Sequence, residues 1–142
     1  MGIIKTIHTE KFEIKLHENG VHENIVRKGE LVDVEDVKLL IKANQELANN
    51  EYYAALIDAE ELGFFTKEAM QYSAKKDSSP KILARAIMVD NLPKKIVGNF
   101  YLNITKPKVK TKLFKEREKA MIWLEDQMKL FKLSERVTGI VK

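Results

Sequence analysis

ARAIMVDNLPKKIVGNFYLNITKPKVKTKLF, residues 84 to 114, decides the fold. Apolar or small residues run almost unbroken from Ala84 to Val89, as expected for a strand covered on both faces. Asp90-Asn91-Leu92-Pro93 then stops the strand and opens a helix. Ile96, Val97, Phe100, Tyr101 and Ile104 recur at helical spacing. Lysine follows at 106, 108, 110 and 112 around Pro107. Val109 to Phe114 alternates, which predicts a half-exposed strand at a sheet edge.

Outward from this stretch the same alternation of strand and helix continues. Phe12, Ile14 and Leu16 alternate with Lys11, Glu13 and Lys15, the pattern of a half-buried strand. Asn19-Gly20 predicts a hairpin, because both residues tolerate positive φ. Val21 to Val26 is the returning strand, and Arg27 to Leu31 a turn. Asp33 caps a helix reaching about Ala48, with Val34, Val37 and Ile41 on one face. Tyr52 to Ile57 is a short buried strand, and Ala59 to Phe65 a loop. Thr66 caps the next helix, which Asp77-Ser78-Ser79-Pro80 breaks. Lys115 to Phe131 predicts a long helix with Ala120, Met121, Leu124 and Met128 on its inner face. Residues 1–9 and 132–142 carry little pattern and are expected to be loosely ordered.

The order is ββαβαβαβα. Strands alternating with helices require crossovers and a mostly parallel sheet, and the opening hairpin makes it mixed. The expectation is one α/β domain over residues 1–142, with a five-stranded mixed sheet and four main helices.

The totals bound the function. With 142 residues, 44% apolar and 32% charged, the chain reads as an ordinary globular domain. There is no cysteine, which removes disulfides, thiolate metal sites and a cysteine nucleophile. No apolar run approaches the ~18 residues of a membrane span, and no basic-then-apolar signal opens the sequence. A cytoplasmic protein without an integral membrane segment is expected. Net charge is +4, carried by lysine more than arginine. Nucleic-acid readers favour arginine forks, so no nucleic-acid partner is expected.

Three segments resemble the STAS domain, the fold of anti-sigma-factor antagonists, and in particular its small bacterial SpoIIAA-like branch of unknown function. They are Ala84 to Val89 running into Asp90-Asn91-Leu92-Pro93; Asn99 to Leu102 with Lys106 to Val109; and Leu113-Phe114 leading to Ala120-Met121-Ile122-Trp123-Leu124. The resemblance covers about the last 60 residues by motif and the rest by element order. It implies a STAS-like fold and a non-enzymatic regulatory module working through protein contacts, as a homodimer or with another protein. Regulatory STAS proteins carry a phosphorylated serine in an Asp-Ser-Ser-Gly-like turn. Here the matching stretch is Phe64-Phe65-Thr66-Lys67-Glu68, where Thr66 is the sole hydroxyl and that pattern is missing.

Candidate site residues each have a plain reading. Thr66 is a phosphoacceptor or anion site, or an ordinary helix cap. Asp58, Glu60 and Glu61, with Phe64 and Phe65, form a ligand or partner rim at a strand end, or solvated loop residues. Two consecutive aromatics in a loop leave one exposed. Lys106, Lys108, Lys110 and Lys112 face an anionic partner, or protect a sheet edge. His17 and His22 flank the Asn19-Gly20 turn and, lacking a third ligand, read as surface residues rather than a metal site. No Gly-rich phosphate loop, Gly-x-Ser-x-Gly elbow or His-Glu-x-x-His is present, so no enzyme, cofactor or metal is expected. The rival function is a carrier of small apolar ligands or lipid, of the CRAL-TRIO type.

Overall fold

The computed structural model describes residues 2–75 and 78–141, with side chains through Arg136. Asp77, expected to help break the second helix, lies outside the described residues. The chain runs through β1 (Ile3–His8), β2 (Phe12–His17), β3 (Val21–Val26), β4 (Leu31–Val32), α1 (Val34–Leu47), β5 (Tyr53–Ala59) and β6 (Phe64–Phe65). It continues through α2 (Lys67–Ser73), β7 (Ile82–Met88), α3 (Leu92–Phe100), a π-helical turn (Tyr101–Thr105), β8 (Lys110–Phe114) and α4 (Arg117–Val141).

The main sheet has the order β1-β2-β3-β5-β7-β8. β1, β2 and β3 are antiparallel, and β3, β5, β7 and β8 are parallel. This is the expected mixed α/β sheet with four helices. Its five expected strands are β2, β3, β5, β7 and β8; β1 is a sixth. β1 was expected as loose chain because it buries almost nothing: only Ile7 is half-covered. Its strand geometry comes from pairing with β2 along the backbone, which side-chain patterning does not reveal. Residues 27–31, expected as a turn, lead into β4, and residues 59–65, expected as a loop, contain β6; the two strands pair in parallel as a separate two-stranded ribbon.

Side-chain alternation splits the core in two. Val21, Ala54, Leu56, Ala84 and Ala86 face α4, against Ala120, Leu124 and Met128. Phe12, Ile14 and Val26 face Val37 and Leu40 of α1 and Ala69 of α2. The helix starts follow the sequence signals. Asp33 caps α1 in a reciprocal box with Asp36, Thr66 caps α2, and Asn91 caps α3 ahead of Pro93.

Three expectations change. The hairpin loop spans Glu18 to Gly20, and Gly20 supplies the positive φ of 86°. Ile96 and Ile104, expected on the inner face of α3, are more than 60% exposed. Val97, Gly98 and Tyr101 turn inward instead, and the π-helical turn carries Ile104 further out of phase. Beyond Phe131, α4 stays helical to Val141 although residues 132–136 are exposed. An apolar stripe is therefore absent there while the helix continues.

Candidate functional site

The helix-covered face of β5 and β7 is not fully filled. Between it and α1, α2 and α3 lies a cavity of about 130 Å³. Its space follows from small residues: Ala55 sits in register beside Arg85, and Gly98 brings α3 close to the sheet. A Cβ at Gly98 would stand 2.7 Å from Val89 Cγ1. The walls are mainly aliphatic, from Val37, Leu40, Ile41, Met70, Ile82 and Val97.

Arg85 projects into this apolar space. It is only 7% exposed. Its Nη1 donates to Tyr101 Oη, the one hydrogen bond the guanidinium makes among the described residues, and its Cζ lies 5.8 Å from that ring's centre. Ser73 Oγ is 3.2 Å from Tyr101 Oη and 3.0 Å from the Met70 carbonyl. Ser73 has a single proton, which the carbonyl takes. The phenol proton then goes to Ser73 Oγ, leaving Tyr101 Oη to accept from Arg85. No described side-chain nitrogen or oxygen is both sealed from solvent and unbonded. Arg85 lines the cavity, and its remaining N–H groups have no partner among the described residues.

Beside it, Tyr53 stacks on His22 with ring centres 4.5 Å apart. Burial pushes the Tyr53 phenol up to about 12, against the opposing pull of Arg85, so it stays protonated at neutral pH. His22 Nδ1 lies 2.9 Å from Asn44 Oδ1, and Asn44 Nδ2 donates to Asn24 Oδ1 and the Leu40 carbonyl. The amide oxygen accepts, so neutral His22 carries its proton on Nδ1. His17 and His22, read as surface residues, are both buried. His17 ends β2 and His22 lies in β3, both interior strands of the sheet, and each imidazole has a partner: Asn44 for His22, and Glu23 for His17 at 2.9 Å.

Of the residues expected as a rim, Asp58, Phe64 and Phe65 line the cavity. Asp58 does not converge with Glu60 and Glu61. Its carboxylate takes Lys94 Nζ at 2.8 Å, and Asp90 takes the same amine at 2.9 Å. Burial would lower the Lys94 pKa, but its bonds to Asp58 and Asp90 outweigh that and raise it. Glu60 accepts from the Lys28 backbone N–H, and Glu61 faces solvent. The loop is pinned by backbone bonds from Gly29 to Glu61, Phe64 to Glu30 and Thr66 to Val32. In the ribbon it forms, Val32 and Phe65 point to the core while Leu31 and Phe64 share the outer side. Leu31, Leu62 and Phe64 are 57%, 64% and 37% exposed. Phe64 also lines the cavity mouth. Thr66 Oγ1 accepts from Ala69 N at 3.0 Å, as a cap does.

Lys106, Lys108, Lys110 and Lys112 are all exposed, and the last two lie on the edge strand β8, well apart from the cavity mouth in sequence. Lys106 takes the left-handed φ of 48° that ends the π-helical turn. Arg85 and Tyr101 were missed as site residues. The available signal was a lone arginine inside an otherwise apolar strand.

The sequence matches the family model described as "Domain of unknown function (DUF7793)" over residues 14–128, and the chain belongs to that family. The match opens within β2 and closes within α4. No curated protein matches the chain. Among solved structures it is similar to an uncharacterized protein of the DUF3478 family with a SpoIIAA-like fold, from Shewanella loihica PV-4. Identity is 12%, the alignment covers 84% of this chain and 90% of that one, and the TM-score is 0.46. No helix among the described residues is long and apolar enough to cross a membrane.

Proposed function

We propose that the protein is a non-enzymatic, STAS-like binding module of the cytoplasm that acts through protein contacts at the rim beside β6. The observation that supports this is the exposure of Leu31, Leu62 and Phe64 on a loop braced by backbone bonds, with Leu31 and Phe64 paired on one side of its ribbon. Large apolar side chains gathered on a braced surface suit a partner interface. Glu60 and Glu61 give that surface an acidic border. The first partner to consider is a second copy of the chain, in a homodimer.

Sedimentation of the purified protein over a wide concentration range tests the homodimer, with Leu62→Glu and Phe64→Glu as variants. Self-association that both variants weaken supports the rim. A photocrosslinker placed at Leu62 in cells, compared with one at the exposed Leu39 of α1, tests a different partner. Monomeric behaviour throughout, with equal capture at both positions, defeats the reading.

A second reading is a small-ligand carrier, favoured by the apolar cavity. At about 130 Å³ it is smaller than the ~300 Å³ at which drug-sized ligand pockets begin. A space of that size suits a small ligand better than a long lipid.

A further inference from the structure

We infer that Arg85 receives the carboxylate of a small apolar acid bound in the cavity between the sheet and α1, α2 and α3. The inference deepens the small-ligand reading and is independent of the protein-contact one.

A guanidinium is an expensive group to place on the inner face of a central strand, where buried charges are ordinarily paired. Among the described residues no carboxylate pairs with Arg85; Tyr101 Oη is its one acceptor. Its other N–H groups have no partner among the described residues, and the residue lines the cavity. Tyr101 is itself fixed by Ser73, so the guanidinium is held in place before any ligand arrives. Tyr53 and Ser79 line the same space, and neither hydroxyl has a side-chain partner among the described residues. Arg85, Tyr53 and Ser79 can therefore all donate to a ligand there.

The charge count selects the ligand class. Lys94 at the mouth is already matched by Asp58 and Asp90. Among the described residues one uncompensated cation remains, which suits a monoanion rather than a phosphate dianion. Carboxylate geometry fits the planar guanidinium fork. The aliphatic walls require an apolar body. An apolar cavity of ~150 Å³ takes a single benzene, so the body at this site is about one ring or a short branched chain.

The test uses the full chain and three acids: sodium benzoate, isobutyrate and hexanoate. Benzamide and inorganic phosphate serve as controls. The readouts are the NMR resonance of the Arg85 Nε–Hε group and the unfolding temperature. At least one acid should move the resonance saturably and raise the unfolding temperature, while benzamide and phosphate do neither. Arg85→Met should weaken that acid by about tenfold or more, the loss of a charged hydrogen-bonded pair. Should Arg85→Met not fold, Tyr101→Phe keeps the packing, frees the guanidinium from its anchor, and should also weaken binding. The proposal is overturned if no acid moves the resonance, if benzamide or phosphate matches the acid, or if the variants bind as the unaltered chain does. It is also overturned if Asp77→Asn by itself moves that resonance with no acid added, since the guanidinium would then already be paired within the chain.

Discussion

Arg117 grips Glu23 across 94 residues of sequence: Nη2 lies 2.6 Å from Oε1 and Nε 2.9 Å from Oε2. The first turn of α4 is thereby fastened to β3, the strand at the centre of the antiparallel-to-parallel switch. The two partners are unequal. Glu23 is almost wholly buried, while half of the Arg117 side chain meets solvent. Arg117→Ala strands a buried carboxylate with His17 alone and should cost about 2–4 kcal/mol in urea unfolding. Glu23→Gln leaves an arginine that water can reach and should cost less, about 1–2 kcal/mol. The reverse order would mean that the fork does not hold the helix.

The same pair sets an acid limit. Burial would raise the Glu23 carboxyl, but the bonds from Arg117 and His17 outweigh it and hold it below the usual carboxylate range. Its folded value is thus lower than its unfolded value of ~4.3. Its contribution is present above the unfolded value and is lost as pH falls through the folded one. Below about pH 4 the chain should lose stability more steeply than Glu23→Gln does, as measured by unfolding midpoints along a pH series.

His22 gives a second and separate pH effect. Burial lowers its pKa, with the Asn44 bond pulling the other way. The unfolded chain therefore binds a proton at His22 more readily than the folded one. Stability present above the unfolded value of ~6.5 should decline as pH falls through the window just below it. Replacing His22 with Gln should flatten that decline while lowering stability overall, because the stack on Tyr53 is lost. A slope between pH 6.5 and 5 unchanged by the substitution would count against this account.

Most of the scaffold was legible because burial and caps leave marks in sequence. Asp33, Thr66 and Asn91 each precede a helix they cap, and the strands β5 and β7 are short apolar runs. What escaped has little or no periodic signal. β1 is exposed on both sides and is defined by its hydrogen bonds. His17, His22, Glu23 and Asn24 look like surface residues, yet the interior strands β2 and β3 bury them because each finds a partner on α1, α4 or a neighbouring strand. The candidate site was half legible. The rim at Asp58 and Phe64 borders the cavity, as the strand-end argument expected, while Asp58, Glu60 and Glu61 take separate partners. Arg85 was hidden by the apolar company it keeps, and its link to Tyr101 depends on where a π-helical turn sets that ring.

Gly98 is a point of close approach rather than of backbone freedom. An alanine there gains helix propensity of about 1 kcal/mol. Its Cβ would meet Val89 Cγ1 at 2.7 Å and Leu113 Cδ2 at 3.2 Å, both in the packed layer between α3 and the sheet. Overpacking of this kind costs ~1–3 kcal/mol, so the net change in Gly98→Ala should be destabilising. A thermal midpoint at or above that of the unaltered chain would show that α3 can lift away at little cost.

Lys110 and Lys112 are exposed on β8, whose outer edge has no strand partner. Charges so placed are expected to keep that edge from pairing with another molecule. Replacing both with Thr retains strand propensity and removes the repulsion. Because Lys112 also lies 5.3 Å over the Phe114 ring, a small stability loss accompanies the change, at most about 1 kcal/mol. The larger effect should be on association: light scattering should rise with concentration in the double variant, and added salt should promote the same behaviour in the unaltered chain by screening the lysines. A double variant that stays as monodisperse as its parent would assign these lysines another task, such as meeting an anionic partner, and would redirect attention from the cavity mouth to this edge.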